Sequence, residues 1–223
     1  MISASGEPLV RWNWIGAHTG ELTHYSLLHL RLALLPVVIG LLIALPLGVL
    51  CSRFKWTYPV VLTGANILYA VPSLAFFMVF VQYTGLNPST VMIPLTLYSL
   101  SVLVPNVVDG LASVSDPVRQ AATAIGYGPL RRLVQVELPI AVPVVIAGIR
   151  VAAVSSISLV GVGQLIGQGG LGYYIIRGLQ LNFPTLIVVS SVLIIALALV
   201  TDALLVLLQW LLTPWSRARG RTA

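Results

Sequence analysis

The sequence predicts an all-α integral membrane protein with about five transmembrane helices, and three observations lead to this fold class. Of the 223 residues, 58% are hydrophobic and only 8% are charged, whereas about 25% are charged in an ordinary soluble domain. The mean hydropathy is +0.99. The apolar residues also form blocks of about 20 residues, the length at which a helix crosses about 30 Å of hydrocarbon. A chain of this length favours a single domain.

The apolar blocks give five predicted spans. They lie near residues 32–51, 58–82, 88–112, 139–161 and 185–212. Prolines and asparagines occur inside these blocks, and membrane helices tolerate them where neighbouring helices or water satisfy the freed backbone groups. We therefore expect the spans to pack together as one bundle.

The basic residues predict that the N-terminus is outside and the C-terminus is inside. With that orientation the inner segments hold eight basic residues and the outer segments hold three, as the positive-inside rule requires. The inner residues are Arg53, Lys55, Arg119, Arg131, Arg132, Arg217, Arg219 and Arg221, and the outer ones are Arg11, Arg31 and Arg177.

This orientation predicts three regions of the chain. We expect an extracytoplasmic N-terminal segment over 1–31, a transmembrane domain over 32–212 with a cytoplasmic connection over 113–138, and a basic cytoplasmic tail over 213–223. The N-terminus lacks a basic segment followed directly by an apolar core, so no cleavable signal peptide is expected. The first span is expected to target the chain to the membrane.

The longest inner connection predicts a short helix. Asp116 is a plausible N-cap, and Pro117 suits the first helical position. Gly126 and Gly128 can both adopt left-handed cap geometry, and Pro129 cannot continue a helix.

A second helical segment, "LRRLVQVE", then leads to Leu138 and Pro139. A helix of two turns is marginal alone in water, and its small alanines would let another protein approach closely. The alternative is a solvated loop that only joins two spans.

The spacing within this connection resembles the "EAA" loop of ABC-importer permeases, E-A-A-x-x-x-G-x₉-I-x-L-P. The sequence departs from that pattern at Gln120, where the family usually has Glu, and at Val136, where it usually has Ile. The resemblance implies a coupling helix that docks in a groove of a separate ATP-binding subunit. The residues at the motif positions to which this role carries over are Gln120, Ala121, Ala122, Gly126, Leu138 and Pro139.

Three further stretches resemble the permeases that import glycine betaine, carnitine and choline. They are "YAVPSLAFFMVFV" at 69–81, "LPIAVPVVIAGIRVAAVSS" at 138–156 and "LIGQGGLGYYIIRGLQ" at 165–180. This resemblance implies the type I importer (MetI-like) permease fold in a prokaryotic cell membrane. It implies as partners a second permease, ATPase subunits and an extracytoplasmic substrate-binding protein. An importer of an amino acid such as methionine, or a membrane scaffold without a transport role, are the alternatives.

The sequence offers no site for covalent chemistry. It has no G-x-x-x-x-G-K-[ST] motif, and its only lysine is Lys55, so ATP and magnesium are expected on a partner chain. Residues 167–172 match G-x-G-x-x-G, but no strand is predicted before them, so they are expected to form a tight turn instead of a dinucleotide site. We therefore expect no cofactor in this chain and classify it as a transporter subunit, not an enzyme.

Metal and nucleic-acid sites are not expected either. His18, His24 and His29 have no cysteine or carboxylate cluster beside them, which argues against a metal site. Cys51 is the single cysteine, so it can form neither an intrachain disulfide nor a cysteine cluster. The basic residues are scattered singly, unlike a nucleic-acid surface.

Three charged residues fall inside predicted spans. A charge inside a membrane helix costs about 2.5–3.5 kcal/mol on insertion scales, so Asp109, Arg150 and Asp202 are expected to form pairs or caps that fix the bundle. We expect Arg150 to pair with Asp109 or with Asp202.

A quaternary ammonium ion has no hydrogen-bond donor, so aromatic faces and weak polar groups suit its passage. Tyr69, Tyr98, Ser155 and Ser158 are therefore candidates for lining a translocation pathway. The alternative for each is ordinary helix packing or an interhelical hydrogen bond.

Overall fold

A computed structural model describes residues 9–214, and this part of the chain contains helices and no strand. The all-α prediction is confirmed. The helices are α1 (Trp12–Ala17), α2 (Thr19–Arg53), α3 (Thr57–Ala70), α4 (Ser73–Thr84), α5 (Ser89–Ala112), α6 (Asp116–Ala124), α7 (Pro129–Arg132), α8 (Leu138–Val160), α9 (Gly172–Gln180) and α10 (Pro184–Leu212). A π-helical segment (Leu133–Glu137) precedes α8, and a 3₁₀ segment (Gly161–Ile166) follows it. Residues 215–223 of the predicted basic tail lie outside the described part.

Helix α2 begins well before the predicted span over 32–51. It has 35 residues, so at 1.5 Å per residue it is about 52 Å long, against about 30 Å of hydrocarbon. Its first turns carry polar side chains such as Glu21 and His24. Hydropathy measures only the apolar part of a helix, which is why the N-terminal extension was missed.

The segment predicted as one span over 58–82 is not a straight helix. The segment forms two helices, α3 and α4, which are bent by 94°. Pro72 disfavours the helical conformation at Val71, and Pro72 itself is extended, with φ −56° and ψ 131°. The break therefore lies at a proline that hydropathy counts as one more apolar residue.

The other three spans agree with the prediction. Helix α5 coincides with the span over 88–112, and α10 with the span over 185–212. The fourth span, predicted over 139–161, lies within a continuous helical run from Pro129 to Ile166. Among the described residues, four helices are long and apolar enough to cross a membrane, or five if the bent pair counts as one span.

The chain forms two compact units. The first contains described residues 9–37, 71–96 and 153–201, and the second contains 38–70, 97–152 and 202–214. In the first unit, Leu22, Leu171, Tyr174 and Leu186 form a buried apolar cluster. In the second unit, a buried cluster of Val107, Leu111 and Ala141 packs against Leu133 and Leu138.

The glycine-rich stretch at 167–172 forms a tight turn between the 3₁₀ segment and α9. Gly167 has a left-handed backbone with φ +77°, and Gln168 N–H donates to the carbonyl of Gly163 at 2.9 Å. No strand precedes this turn in the described residues. The stretch therefore forms the tight turn that the sequence predicted.

Candidate coupling site

Helix α6 starts one residue away from the predicted position. Its N-cap is Ser115, with extended φ −66° and ψ 147°, and Asp116 is already in the first turn. The prediction of Asp116 as N-cap was therefore wrong by one residue. Pro117 is therefore the second helical residue and not the first, a position where its missing N–H is one that the first turn leaves unpaired in any case.

Gly126 ends α6 with a Schellman motif. It has φ +88°, its N–H donates to the Thr123 carbonyl at 3.0 Å, and the Tyr127 N–H donates to the Ala122 carbonyl at 3.0 Å. These two bonds satisfy carbonyls that the helix end would otherwise leave open. Gly128 does not share this role: it is extended, with φ −66° and ψ 167°, and forms the N-cap of α7. The left-handed geometry predicted for Gly128 was wrong.

Two arginines fasten the short helix α6 to the helices on either side of it. At the beginning of α6, Arg119 donates to the carbonyl of Leu111 on α5 at 2.6 Å. Near its end, Arg132 donates to Thr123 at 3.0 Å and pairs with Glu137 at 2.8 Å. Glu137 is buried, where a carboxylate requires a charged partner. These contacts supply the stability that a two-turn helix lacks alone.

The helix widens just before Leu138 and Pro139. The Leu138 N–H donates to the Leu133 carbonyl, five residues earlier, within the π segment Leu133–Glu137. Pro139 has no N–H and its ring crowds the carbonyl four residues back, which disfavours a regular α turn there. Leu138 itself packs against the buried cluster of the second unit. The Leu-Pro end of the predicted motif is thus the point where the connection joins α8.

The predicted coupling residues divide between a buried and an exposed side of α6. Ala122 is buried, whereas Gln120 and Ala121 are exposed. Large apolar side chains are also exposed along this segment, led by Leu130 at 75% and Ile125 at 72%. Sequence reasoning missed these two residues, although an apolar side chain in a polar loop was a usable signal. The segment presents an apolar surface of the kind that marks protein contacts.

Of the two aspartates considered as partners for Arg150, the structure places Asp202 beside it. The guanidinium of Arg150 on α8 makes two bonds to the carboxylate of Asp202 on α10, with Nε–Oδ1 at 2.7 Å and Nη2–Oδ2 at 2.9 Å. This two-point geometry is the strong form of an arginine–carboxylate pair. Asp109 is exposed near the end of α5 and is not in that pair.

Two of the four candidate pathway residues contact each other. The rings of Tyr69 and Tyr98 meet edge to face with centroids 5.6 Å apart; Tyr98 is buried and Tyr69 is half exposed. Ser155 and Ser158 belong to the first unit. Ser158 is exposed and donates to the Val154 carbonyl of its own helix at 3.1 Å.

His29 has a structural role that the sequence did not reveal. It is fully buried. Its Nδ1 accepts the Leu171 N–H at 3.2 Å, so Nε2 carries the proton and donates to the Ile157 carbonyl at 2.8 Å. One neutral ring therefore joins α2, α8 and the glycine-rich turn. The spacing of the histidines in the sequence argued only against a metal site. It gave no signal for these backbone hydrogen bonds.

Comparison with known proteins agrees with this architecture. The choline transport system permease protein OpuBB of Bacillus subtilis is 34% identical over 195 residues, covering 87% of this chain and 90% of that protein. The osmoprotectant import permease protein OsmW of Salmonella typhimurium is 35% identical over 202 residues, covering 88% and 94%. The glycine betaine/carnitine/choline permease protein OpuCB of Bacillus subtilis is 32% identical over 195 residues, covering 87% and 90%.

The same fold occurs in a solved structure. An inward-facing conformation of the MetNI methionine ABC transporter matches with a TM-score of 0.77 at 19% identity, covering 86% of this chain and 96% of the other. This likeness shows the type I importer permease fold. Residues 36–217 match the family described as binding-protein-dependent transport system inner membrane components. The chain therefore belongs to that family, as a membrane-embedded permease subunit of a transporter.

Proposed function

We propose that this permease conducts quaternary ammonium osmoprotectants, such as glycine betaine, choline, carnitine or proline betaine, into the cell by ATP-driven alternating access. The observation that carries the proposal is the segment 119–139, whose spacing resembles the coupling loop and whose helix α6 is fastened at both ends with an apolar surface exposed. Relatives that are 32–35% identical are named as choline and osmoprotectant permeases.

The anchoring of α6 suggests how ATP hydrolysis would move the membrane helices. Arg119 links α6 to α5, and Arg132 links it through Glu137 to the base of α8. A partner that shifts α6 would therefore shift both membrane helices with it. ATP and magnesium would bind to that partner, since this chain has no phosphate-binding lysine motif. The complex would also need a second permease and an extracytoplasmic binding protein.

In this proposal the N-terminus is outside and the coupling segment 113–138 is cytoplasmic. The eight basic residues of the inner segments support that orientation. An importer for methionine or another amino acid is the second candidate, and the shared fold with the methionine transporter is its only support. The relatives named for quaternary ammonium solutes are closer in sequence, so the osmoprotectant reading is preferred.

Replacing Gly126 tests the coupling role. Gly126→Asp should leave the protein inserted but separate ATP hydrolysis from uptake, because it places a carboxylate beside the exposed apolar surface of Ile125 and Leu130. We expect uptake of radiolabelled glycine betaine by the reconstituted importer to fall about tenfold, the effect of about 1.4 kcal/mol at the interface.

Gly126→Asn is the matched control, because Asn also tolerates the left-handed backbone but carries no charge. It should retain uptake within about twofold of the wild type. Normal uptake by Gly126→Asp would refute the coupling assignment.

The pathway residues allow a separate test. A variant with Tyr69→Ala, Tyr98→Phe, Ser155→Ala and Ser158→Ala should lower the uptake rate of glycine betaine and choline several-fold, because it removes the aromatic face of Tyr69 and three hydroxyl groups that can contact the cation. Uptake by proteoliposomes with saturating binding protein measures the effect. Tyr83→Ala, at an aromatic residue that is 81% exposed, serves as the control. Unchanged transport in the fourfold variant would remove these residues from the pathway.

A further inference from the structure

A cavity of about 260 Å³ lies in the first unit, lined by residues of α1, the start of α2, α9 and the beginning of α10. Four ring-bearing side chains line it, Trp14, His18, Tyr174 and Phe183, together with Glu21 and Arg177. The His18 ring stacks on one face of Trp14 with centroids 4.2 Å apart. Sites for drug-sized molecules measure about 300–1,000 Å³. The cavity is therefore suited to a smaller solute.

The aromatic wall of the cavity is fixed in place. The indole of Trp14 meets the rings of Tyr174 and Phe183 edge to face, each with centroids 5.9 Å apart. Phe183 already receives a cation on its face, since the Arg11 guanidinium lies 5.0 Å from its centroid. Electron-rich faces held in this way attract quaternary ammonium groups, which cannot form ordinary hydrogen bonds.

The cavity also holds two opposite charges that do not neutralise each other. Glu21 accepts a hydrogen bond from the Tyr174 hydroxyl at 3.2 Å. Arg177 is directed to Tyr173, where it donates to the hydroxyl and lies 5.4 Å from the ring centroid. Within residues 9–214, Glu21 and Arg177 form no ion pair with each other. Burial and the bond to Glu21 raise the pKa of Tyr174, so its hydroxyl stays protonated and can keep donating.

We propose that this cavity binds a zwitterionic quaternary ammonium carboxylate, the betaine class, as a receiving site on the side of the permease that faces outward in the proposed orientation. The ammonium group would contact Trp14 and Phe183 near the Glu21 carboxylate, and the ligand's own carboxylate would bind the Arg177 guanidinium. Because the cavity is lined by protein charges of both signs, it suits a ligand that carries both signs. This inference rests on the proposed function for its solute class.

Two ligands that differ in charge test the separate roles of Glu21 and Arg177. Glycine betaine has a carboxylate for Arg177, whereas choline has only a hydroxyl at that end. Arg177→Gln should therefore weaken the binding of glycine betaine about tenfold and change the affinity for choline by less than about twofold. Glu21→Gln should weaken the binding of both ligands several-fold. Arg31→Gln is the control, because Arg31 is an exposed cation of the same unit that does not line the cavity.

The experiment is equilibrium binding of radiolabelled glycine betaine and choline to the purified full-length permease in lipid nanodiscs, without binding protein. Absence of glycine betaine binding at millimolar concentration would overturn the proposal. An equal loss of affinity for both ligands in Arg177→Gln would overturn it as well. Unchanged ligand binding with a weakened association of the binding protein would also overturn it, by assigning the cavity to protein docking.

Uptake by the complete importer separates this inference from the proposed function. If the wild-type importer takes up glycine betaine but the permease alone does not bind it, only the receiving site is refuted. If the wild-type importer takes up neither glycine betaine nor choline, the proposed solute class fails as well.

Discussion

Arg150→Ala should greatly reduce the amount of folded permease recovered from the membrane. Arg150 lies about 18 Å along α8 from Leu138, and Asp202 lies about 15 Å along α10 from Leu212, at 1.5 Å per residue. Both distances place the charges near the middle of a bilayer about 30 Å thick. Without the two-point bond between them, Asp202 would stand alone at a cost of about 3 kcal/mol.

A cost of about 3 kcal/mol corresponds to more than a hundredfold in a folding equilibrium. The yield of monodisperse protein on size-exclusion chromatography in detergent measures this loss. Arg150→Ala combined with Asp202→Asn should restore most of the yield, because it removes the charge left unpaired. Adding Asp109→Asn instead should restore nothing, since Asp109 is not in the pair. Failure of the Asp202 combination to rescue the protein would show that Arg150 stabilises the bundle by other contacts.

Gly170→Val should destabilise the first unit strongly. Gly170 has φ +51°, and a Cβ atom there would lie 2.8 Å from both Cα and Cβ of His29. Neither atom is the end of a flexible side chain, so the backbone itself would have to move. That movement would also disturb the neighbouring bond from Leu171 N–H to His29. Overpacking of this kind costs about 1–3 kcal/mol, in addition to about 1–2 kcal/mol for the left-handed backbone.

The effect of Gly170→Val is measured as the melting temperature of the detergent-solubilised permease. We expect this temperature to fall by several degrees. Gly126→Val is the matched control: Gly126 has φ +88°, but a Cβ there would meet nothing within 4 Å. The difference between the two variants isolates the clash with His29 from the backbone strain. Equal melting temperatures would mean that the glycine-rich turn can move away from α2 without loss.

The spans were predictable wherever the physical cause was hydrophobic length. Helices α5 and α10 follow from their apolar blocks alone. The early start of α2 and the break at Pro72 were not predictable in this way, because one depends on polar residues continuing a helix and the other on a single backbone restriction. The partner of Arg150 could not be predicted either. Asp109 and Asp202 both lie inside predicted spans, and only the rotation of the helices about their axes decides which one faces Arg150.

The candidate coupling site shows the same division. The capping residues predicted a short helix that ends near Gly126, Gly128 and Pro129, and the cap bonds of Gly126 place the end there. The ion pair of Arg132 with Glu137 could not be foreseen, because the two residues are five apart and a regular α-helix does not place such positions on one face. The bonds of His29 depend on backbone groups more than 120 residues away.

The π segment before α8 also constrains how this connection can change in length. A π turn closes its backbone hydrogen bond across five residues, whereas an α turn closes it across four. The π segment is therefore equivalent to a single-residue insertion in the helix. Deleting one residue from Leu133–Glu137 would let the helix close as a regular α-helix, with the residues on either side keeping nearly the same faces. Arg132 and Glu137 would then be four residues apart, a spacing that an α-helix places on one face, so the ion pair and the attachment of α6 would be kept. The connection between Gly126 and Leu138 can therefore lose one residue at the π segment without releasing α6.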